Sequence, residues 1–294
     1  MTSCPVCKGE SAKVYRKAKR VSESPNYSVT KPTYGAWATL FFCKGCGVIF
    51  VYPLPSQEEL TSLYGKMEDK AYLEEETMRR EMAGRGLSFI EKYAPRKGRL
   101  LDVGCFAGFF LDVARHRGWE GVGIEPSAWG RKVAEERFSL PVLGATLEEA
   151  SFPASSFDAV VLVDTLEHLR DPRSTLEETR RILKPGGILY VSTPDVGSLT
   201  ARLLRNRWWG FRPEHLVYFS KKSLNTLLKE TGFSILSRRS FQRLFTGKAP
   251  HRRLKEVSPV GSCLVSPLIR LFQLERHHFI VNFFDQIELV AERG

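Results

Sequence analysis

"LLDVGCFAGFF", residues 100–110, decides the fold. An apolar run ends on Asp102, turns at Gly104 and reaches a second glycine at Gly108. The run reads as a short buried strand, and residues 109–118 carry the apolar spacing of a helix closed by Gly118. The turn between them lies at the carboxyl end of a strand, where open parallel sheets bind ligands. Glycine lets the backbone come close to a ligand, and a helix start offers free N–H groups. The dinucleotide pattern G-x-G-x-x-G fails here, because Phe106 stands two residues after Gly104. An acid before the first glycine would also repel a pyrophosphate packed on the turn. It suits a ligand with a cationic amino acid portion. Glu125 ends the next apolar run, in "GVGIEPS" (121–127), where a carboxylate can accept hydrogen bonds from both hydroxyls of a ribose. The two acids together point to an adenosyl ligand carrying positive charge.

Working outward, strand-like runs recur at 99–104, 120–126, 140–146, 158–164, 188–194, 233–239 and 285–293. Helical patterns lie between them at 109–118, 127–138, 173–187 and 221–232. This alternation predicts an α/β fold, a mostly parallel sheet with helices on both faces. Further upstream, Ser56 followed by Glu59 reads as a helix start.

In order and spacing, "LLDVGCFAGFFL", "GVGIEPS", "FDAVVLVDTLEHLRDP" and "ILKPGGILYVSTP" resemble the motifs of class I S-adenosylmethionine-dependent methyltransferases. The resemblance covers about residues 99–240 and implies a Rossmann-like seven-stranded sheet with a reversed last strand. It implies that Asp102, Gly104 and Gly108 hold the methionine end of the cofactor, with Cys105, Phe109 and Pro126 in the same turns. Glu125 would hold the ribose, and Thr146 and Leu147 would flank the adenine. Asp164, Thr165 and His168 would line the cofactor side of the active site. Phe106 departs from the family, which often has glycine there. Cys105 inside the turn reads as a small buried residue rather than a catalytic thiol.

Two C-x-x-C pairs, Cys4/Cys7 and Cys43/Cys46, stand ahead of this core. Two such turns supply four thiolates, which suits a closed structural Zn2+ site; paired redox disulfides are the alternative. The 35 residues between the pairs imply a ribbon with an inserted hairpin. A zinc ribbon ahead of this core resembles bacterial sugar methyltransferases, including C-methyltransferases of nucleotide-linked deoxysugars. The expected division is a zinc ribbon at 1–55, a helical linker at 56–98 and a methyltransferase domain at 99–294 with an insertion near 243–284.

The acceptor side is sought in "RNRWWGFRPEHLVYFS" (205–220). His215 titrates near neutrality when unperturbed, and with Glu214 it is the candidate base. An adjacent Glu-His here resembles the sugar C-methyltransferase pattern. Arg205, Arg207 and Arg212 could grip phosphate, Trp208 and Trp209 could stack on a ring, and Tyr64 and Tyr72 could close over the ligand. The chain carries a net charge of +11, and residues 202–255 hold fourteen Lys or Arg against only Glu214 and Glu230. That bias favours a small anionic acceptor such as a nucleotide-linked sugar or glycan precursor. RNA methylation is the alternative enzyme reading, and a non-catalytic scaffold keeping the fold is the third. With no apolar signal core and no apolar run of about 18 residues, the expected location is cytoplasmic, without a transmembrane segment.

Overall fold

The computed structural model describes residues 2–18, 38–65, 67–94, 96–240, 243–246 and 278–294. The hairpin expected between the cysteine pairs lies mostly outside the described residues, as does most of the expected insertion at 243–284. Strands β1 (Ala12–Arg16), β2 (Leu40–Cys43) and β3 (Ile49–Val51) pair antiparallel in that order. Helices α1 (Gln57–Gly65), α2 (Lys70–Glu74) and α3 (Glu76–Ile90) follow. The Ser56 start forms as expected: Ser56 N–H donates to Glu59 Oε2 at 2.6 Å and Glu59 N–H to Ser56 Oγ at 3.1 Å.

The core then alternates β4 (Arg99–Val103), α4 (Phe109–His116), β5 (Glu120–Ile124), α5 (Ala128–Phe138), β6 (Val142–Leu143), β7 (Phe157–Val163), α6 (Pro172–Ile182) and β8 (Leu183–Pro194). After it come α7 (Leu199–Leu204), β9 (Val217–Tyr218), α8 (Lys221–Glu230), β10 (Phe233–Ser240), β11 (Arg243–Thr246), β12 (His278–Val281) and β13 (Gln286–Arg293). Seven of the described strands form one sheet in the order β10-β13-β8-β7-β4-β5-β6. Within it β13 runs antiparallel to both β8 and β10, and the other pairings are parallel. This is the expected Rossmann-like architecture with its reversed last strand. The helix expected to be stopped by Pro185 and the two glycines after it ends earlier, at Ile182, and Leu183 already pairs with Phe157. Strands β11 and β12, near the ends of the expected insertion, pair antiparallel.

The strand period of two separates the core into two layers. Leu101, Val103, Val160, Leu162, Leu189, Val191, Ile287 and Leu289 face one layer. Leu100, Ala159, Val161, Ile188, Tyr190 and Val290 face the other. The first layer also contains Cys4, Val6, Cys43, Val48 and Phe50, so the N-terminal strands share a core with the large sheet. The backbone joins them too. β9 adds to the edge of β3, with Ile49 opposite Tyr218 and Phe50 opposite Val217. A segment downstream of β8 is thereby tied to the cysteine module at the front of the chain. Among the described residues no helix is long and apolar enough to cross a membrane.

Candidate active site

A cavity of about 1000 Å³ opens beyond the carboxyl ends of β4, β5 and β7. Its first wall is the turn after β4. Gly104 and Gly108 have φ of +76° and +77°, the left-handed region glycine adopts at least cost. A Cβ on Gly104 would lie 2.9 Å from Thr165 Oγ1, and one on Gly108 would lie 2.7 Å from Leu140 Cδ1. Phe106, the departure from the family, also has a positive φ, +44°. Its ring is held edge-on by Tyr72 at 4.6 Å and tilted against Trp129 at 5.3 Å, packing that offsets the backbone strain. Tyr72 stacks on Phe109 in turn, at 5.7 Å.

Asp102 and Glu125 are 2% and 5% exposed at the ends of β4 and β5. Glu125 Oε2 accepts from Phe106 N–H at 2.8 Å, and Oε1 from Ser127 N–H at 2.7 Å. Burial pushes the Asp102 carboxyl up to about 8, helped by repulsion from Glu125. Burial also raises Glu125, to about 7, against those two amides and Arg131. A buried acid raised in this way fits a cationic ligand, which would restore its charged form.

Glu125, Pro126, Thr146, Leu147, Asp164, Thr165 and His168 line the cavity with Gly104. Asp102, Cys105, Gly108 and Phe109 do not: they lie buried behind that lining. For Cys105, Gly108 and Phe109 this corrects the expected cofactor contact, and Asp102 acts on a ligand through its charge from behind the lining. A Cβ on Gly123 would lie 2.7 Å from Cys105 Sγ, so the thiol fills space over β5. Burial raises its pKa well above the ordinary thiol range.

The second wall is the segment 209–215 against the 3₁₀ turn Leu166–His168. Leu216 N–H donates to Glu167 O at 2.8 Å, and His168 Nδ1 lies 3.0 Å from Glu214 O. His215 Nδ1 lies 2.9 Å from Gly210 O. A carbonyl only accepts, so each Nδ1 donates its hydrogen there, and Tyr64 Oη lies 3.2 Å from His168 Nδ1 as well. Burial holds His168 down to about 3, with Arg212 adding repulsion, so its ring stays neutral. Burial raises Glu167 and Glu214 above the usual carboxylate range. Arg212 pairs with Glu214 Oε1. Among the described residues Glu167 Oε1, Glu214 Oε2 and Trp209 Nε1 are buried without hydrogen-bond partners, and all three residues line the cavity.

Two substrate expectations fail on geometry. Trp208 is fully buried, with Nε1 donating to Asp285 Oδ2 at 3.1 Å and its ring edge-on to Phe211, so it cannot stack on an acceptor. Arg207 is exposed and lies outside the cavity wall. Tyr72, Tyr64, Trp209, Arg212, Glu214 and His215 do line the cavity. The sequence reading missed Glu167 and Gln286. Glu167 stands beside His168 in the quoted motif and could have been found there. Gln286 Nε2 donates to Asp164 Oδ1 at 2.5 Å, and only the placement of β13 brings it in.

The cysteine module closes a third side. Ser3, Pro5 and Lys8 line the cavity, and Lys8 Nζ contacts Asp171 Oδ2 at 2.5 Å. Cys4 Sγ lies 3.6 Å from Cys46 Sγ, and Cys7 Sγ lies 3.5 Å from Cys43 Sγ. Tetrahedral zinc spaces its sulfurs by about 3.8 Å, so the four thiols fit that ion. Within the cluster a hydrogen bond from Cys46 draws Cys4 down, while Cys7 and Cys46 are raised.

Comparisons with known proteins agree with this geometry. Ubiquinone biosynthesis O-methyltransferase of Hahella chejuensis is 38% identical over 114 residues, 36% of this chain and 48% of that protein. The mitochondrial protein of that name from Mus musculus is 30% identical over 153 residues, 47% of this chain and 41% of that protein. The chain thus spans about half the length of the curated relatives it matches. Crystal structures of S-adenosylmethionine-dependent methyltransferases from Archaeoglobus fulgidus and Thermotoga maritima share the fold. Their TM-scores are 0.53 and 0.51, at 19% and 21% identity. Each alignment covers 76% of this chain, and 100% and 95% of theirs. The family model described as "Methyltransferase domain" matches residues 75–238, more than half of the chain. That span holds the glycine turn, both buried acids and the Glu214–His215 wall: the chain belongs to the methyltransferase domain family, in its class I form.

Proposed function

We propose that this protein transfers the methyl group of S-adenosylmethionine to a hydroxyl oxygen of a small acceptor bound in the cavity. The observation that carries the acceptor half is the set of unpartnered buried groups on the second wall, Glu167 Oε1, Glu214 Oε2 and Trp209 Nε1. Such groups are costly unless a ligand satisfies them. Glu125 meets the ribose portion of the cofactor from the cavity lining, and Asp102, buried behind that lining, favours the cationic portion through its charge. Methyl transfer is an in-line displacement: the acceptor oxygen bonds to the methyl carbon, and the carbon–sulfur bond breaks with its electrons staying on sulfur. The acceptor's proton goes to Glu214 Oε2, while His215 and His168 flank the oxygen and hold it in line.

The printed names of the relatives favour oxygen as the methylated atom. Of the cations that line the cavity, Lys8, Arg79 and Arg212 pair with Asp171, Glu75 and Glu214 of the chain itself, and Arg170 lines it as well. The four cysteines hold a structural zinc that keeps the Pro5 and Lys8 side of the cavity in place. Elemental analysis should find that zinc, and Cys4→Ser should lose it. Labelled-methyl transfer to hydroxylated aromatics, nucleotide sugars and total RNA tests the acceptor. Incorporation into hydroxylated aromatics is expected. Incorporation into RNA alone would overturn the reading, and sugar incorporation alone would return it to the sugar methyltransferases.

A further inference from the structure

We propose that Glu167, His168 and His215 form a divalent-metal site in the cavity wall, distinct from the four-cysteine cluster. One donor atom of each residue lies within 4.8 Å of the others. Among the described residues only the four cysteines form another such group. The donors come from two segments joined by backbone, the turn after β7 and the strand entering β9, so the site is set by the fold.

The surrounding hydrogen bonds have the form that orients metal ligands. His168 and His215 each give Nδ1–H to a carbonyl, of Glu214 and Gly210, which leaves Nε2 as the basic nitrogen. Thr193 Oγ1 donates to Glu167 Oε2 at 2.8 Å. The other oxygen, Oε1, has no partner among the described residues although the residue is 1% exposed. Two imidazoles and one carboxylate suit zinc, cobalt or ferrous iron better than magnesium or calcium. A tetrahedral ion would draw the donors to about 3.3 Å apart and keep its fourth position for a ligand.

The chemistry rests on the methyl-transfer reading; the binding does not. The acceptor hydroxyl takes the fourth position. Its O–H bond breaks, the proton passes to Glu214, and the electron pair stays on the oxygen that attacks the methyl carbon.

The test uses the untagged full chain, cleared of loosely held metal, with its cysteine-bound ion verified by elemental analysis. It is titrated with Co2+ and followed by calorimetry, visible absorption and X-ray absorption. One further Co2+ per chain with nitrogen and oxygen ligands is expected. Glu167→Gln and His215→Gln should each weaken it at least tenfold while S-adenosylmethionine binding and the cysteine-bound metal persist. Failure of the wild type to take up a further ion, sulfur-only ligation, or undiminished affinity in both variants would overturn the site. Loss of cofactor binding by the wild type would instead sink the methyl-transfer reading and leave the metal titration decisive.

Discussion

The cofactor turn and the acceptor wall are built by opposite means. The turn is local: Asp102, Gly104 and Gly108 lie within seven residues, and Glu125 ends the next strand, paired in parallel. The acceptor wall is assembled at long range. Glu214 and His215 are held by Leu216, which donates to Glu167 and accepts from Val51 N–H at 2.9 Å. Two adjacent tryptophans face different surroundings there, Trp209 the cavity and Trp208 the core. A local site tolerates change elsewhere, whereas a long-range site depends on every element that braces it.

The largest expected effect falls on the acceptor wall. Glu214→Gln should lower kcat by roughly 10²–10⁴-fold and leave cofactor affinity unchanged, read by steady-state kinetics and calorimetry. A loss of cofactor binding in that variant would mean that the two regions are not separable.

On the turn, Asp102→Ala should weaken S-adenosylmethionine by roughly 10–100-fold, with acceptor KM unaffected. Glu125→Ala should act in the same direction. Unaltered affinity in both would move the cofactor elsewhere.

The pH dependence sharpens the same point. The Asp102 carboxyl sits at about 8 in the folded protein, above its usual value of 3.8. Its stabilising contribution is therefore fully present below the unfolded value and is lost as pH rises through about 8. A cationic cofactor favours the ionised form, so affinity should climb by up to about tenfold per pH unit below that pKa. Calorimetry from acid to mildly alkaline pH should show this climb, and Asp102→Asn should flatten it.

The smallest effects separate the neighbours in the wall. Trp208→Phe should cost about 1–3 kcal/mol of stability, leaving Asp285 without its indole donor, and should not change acceptor KM. Trp209→Phe should raise KM with little change in melting temperature. Arg207→Ala should change neither, and a raised KM there would restore the expected phosphate contact.

Legibility follows the range of the interactions. The strand period, the helix start at Ser56 and the glycine turn are settled by neighbours a few residues apart, and they form where expected. α6 ends before its expected stop at Pro185 because Leu183 gains a strand partner in Phe157, 26 residues upstream. Glu167 was passed over because a carboxylate in a short turn has no periodic signature. Nothing in "DQIEL" marks Gln286 for the cavity, since its role comes from lying on the reversed strand beside β8.

The sequence by itself determined the α/β alternation, the two acids at the strand ends and the four converging thiols. Each depends on periodicity or on spacing within a turn. Only the tertiary structure decided which residues of "RNRWWGFRPEH" reach the acceptor. Trp208 is drawn inward by Asp285, 77 residues away, while Arg207 is left to solvent. Glu214 and His215 are turned to the cavity because β9 is pinned to β3 of the cysteine module. Side-chain direction in an irregular segment is set by whatever packs against it, and that information lies elsewhere in the chain.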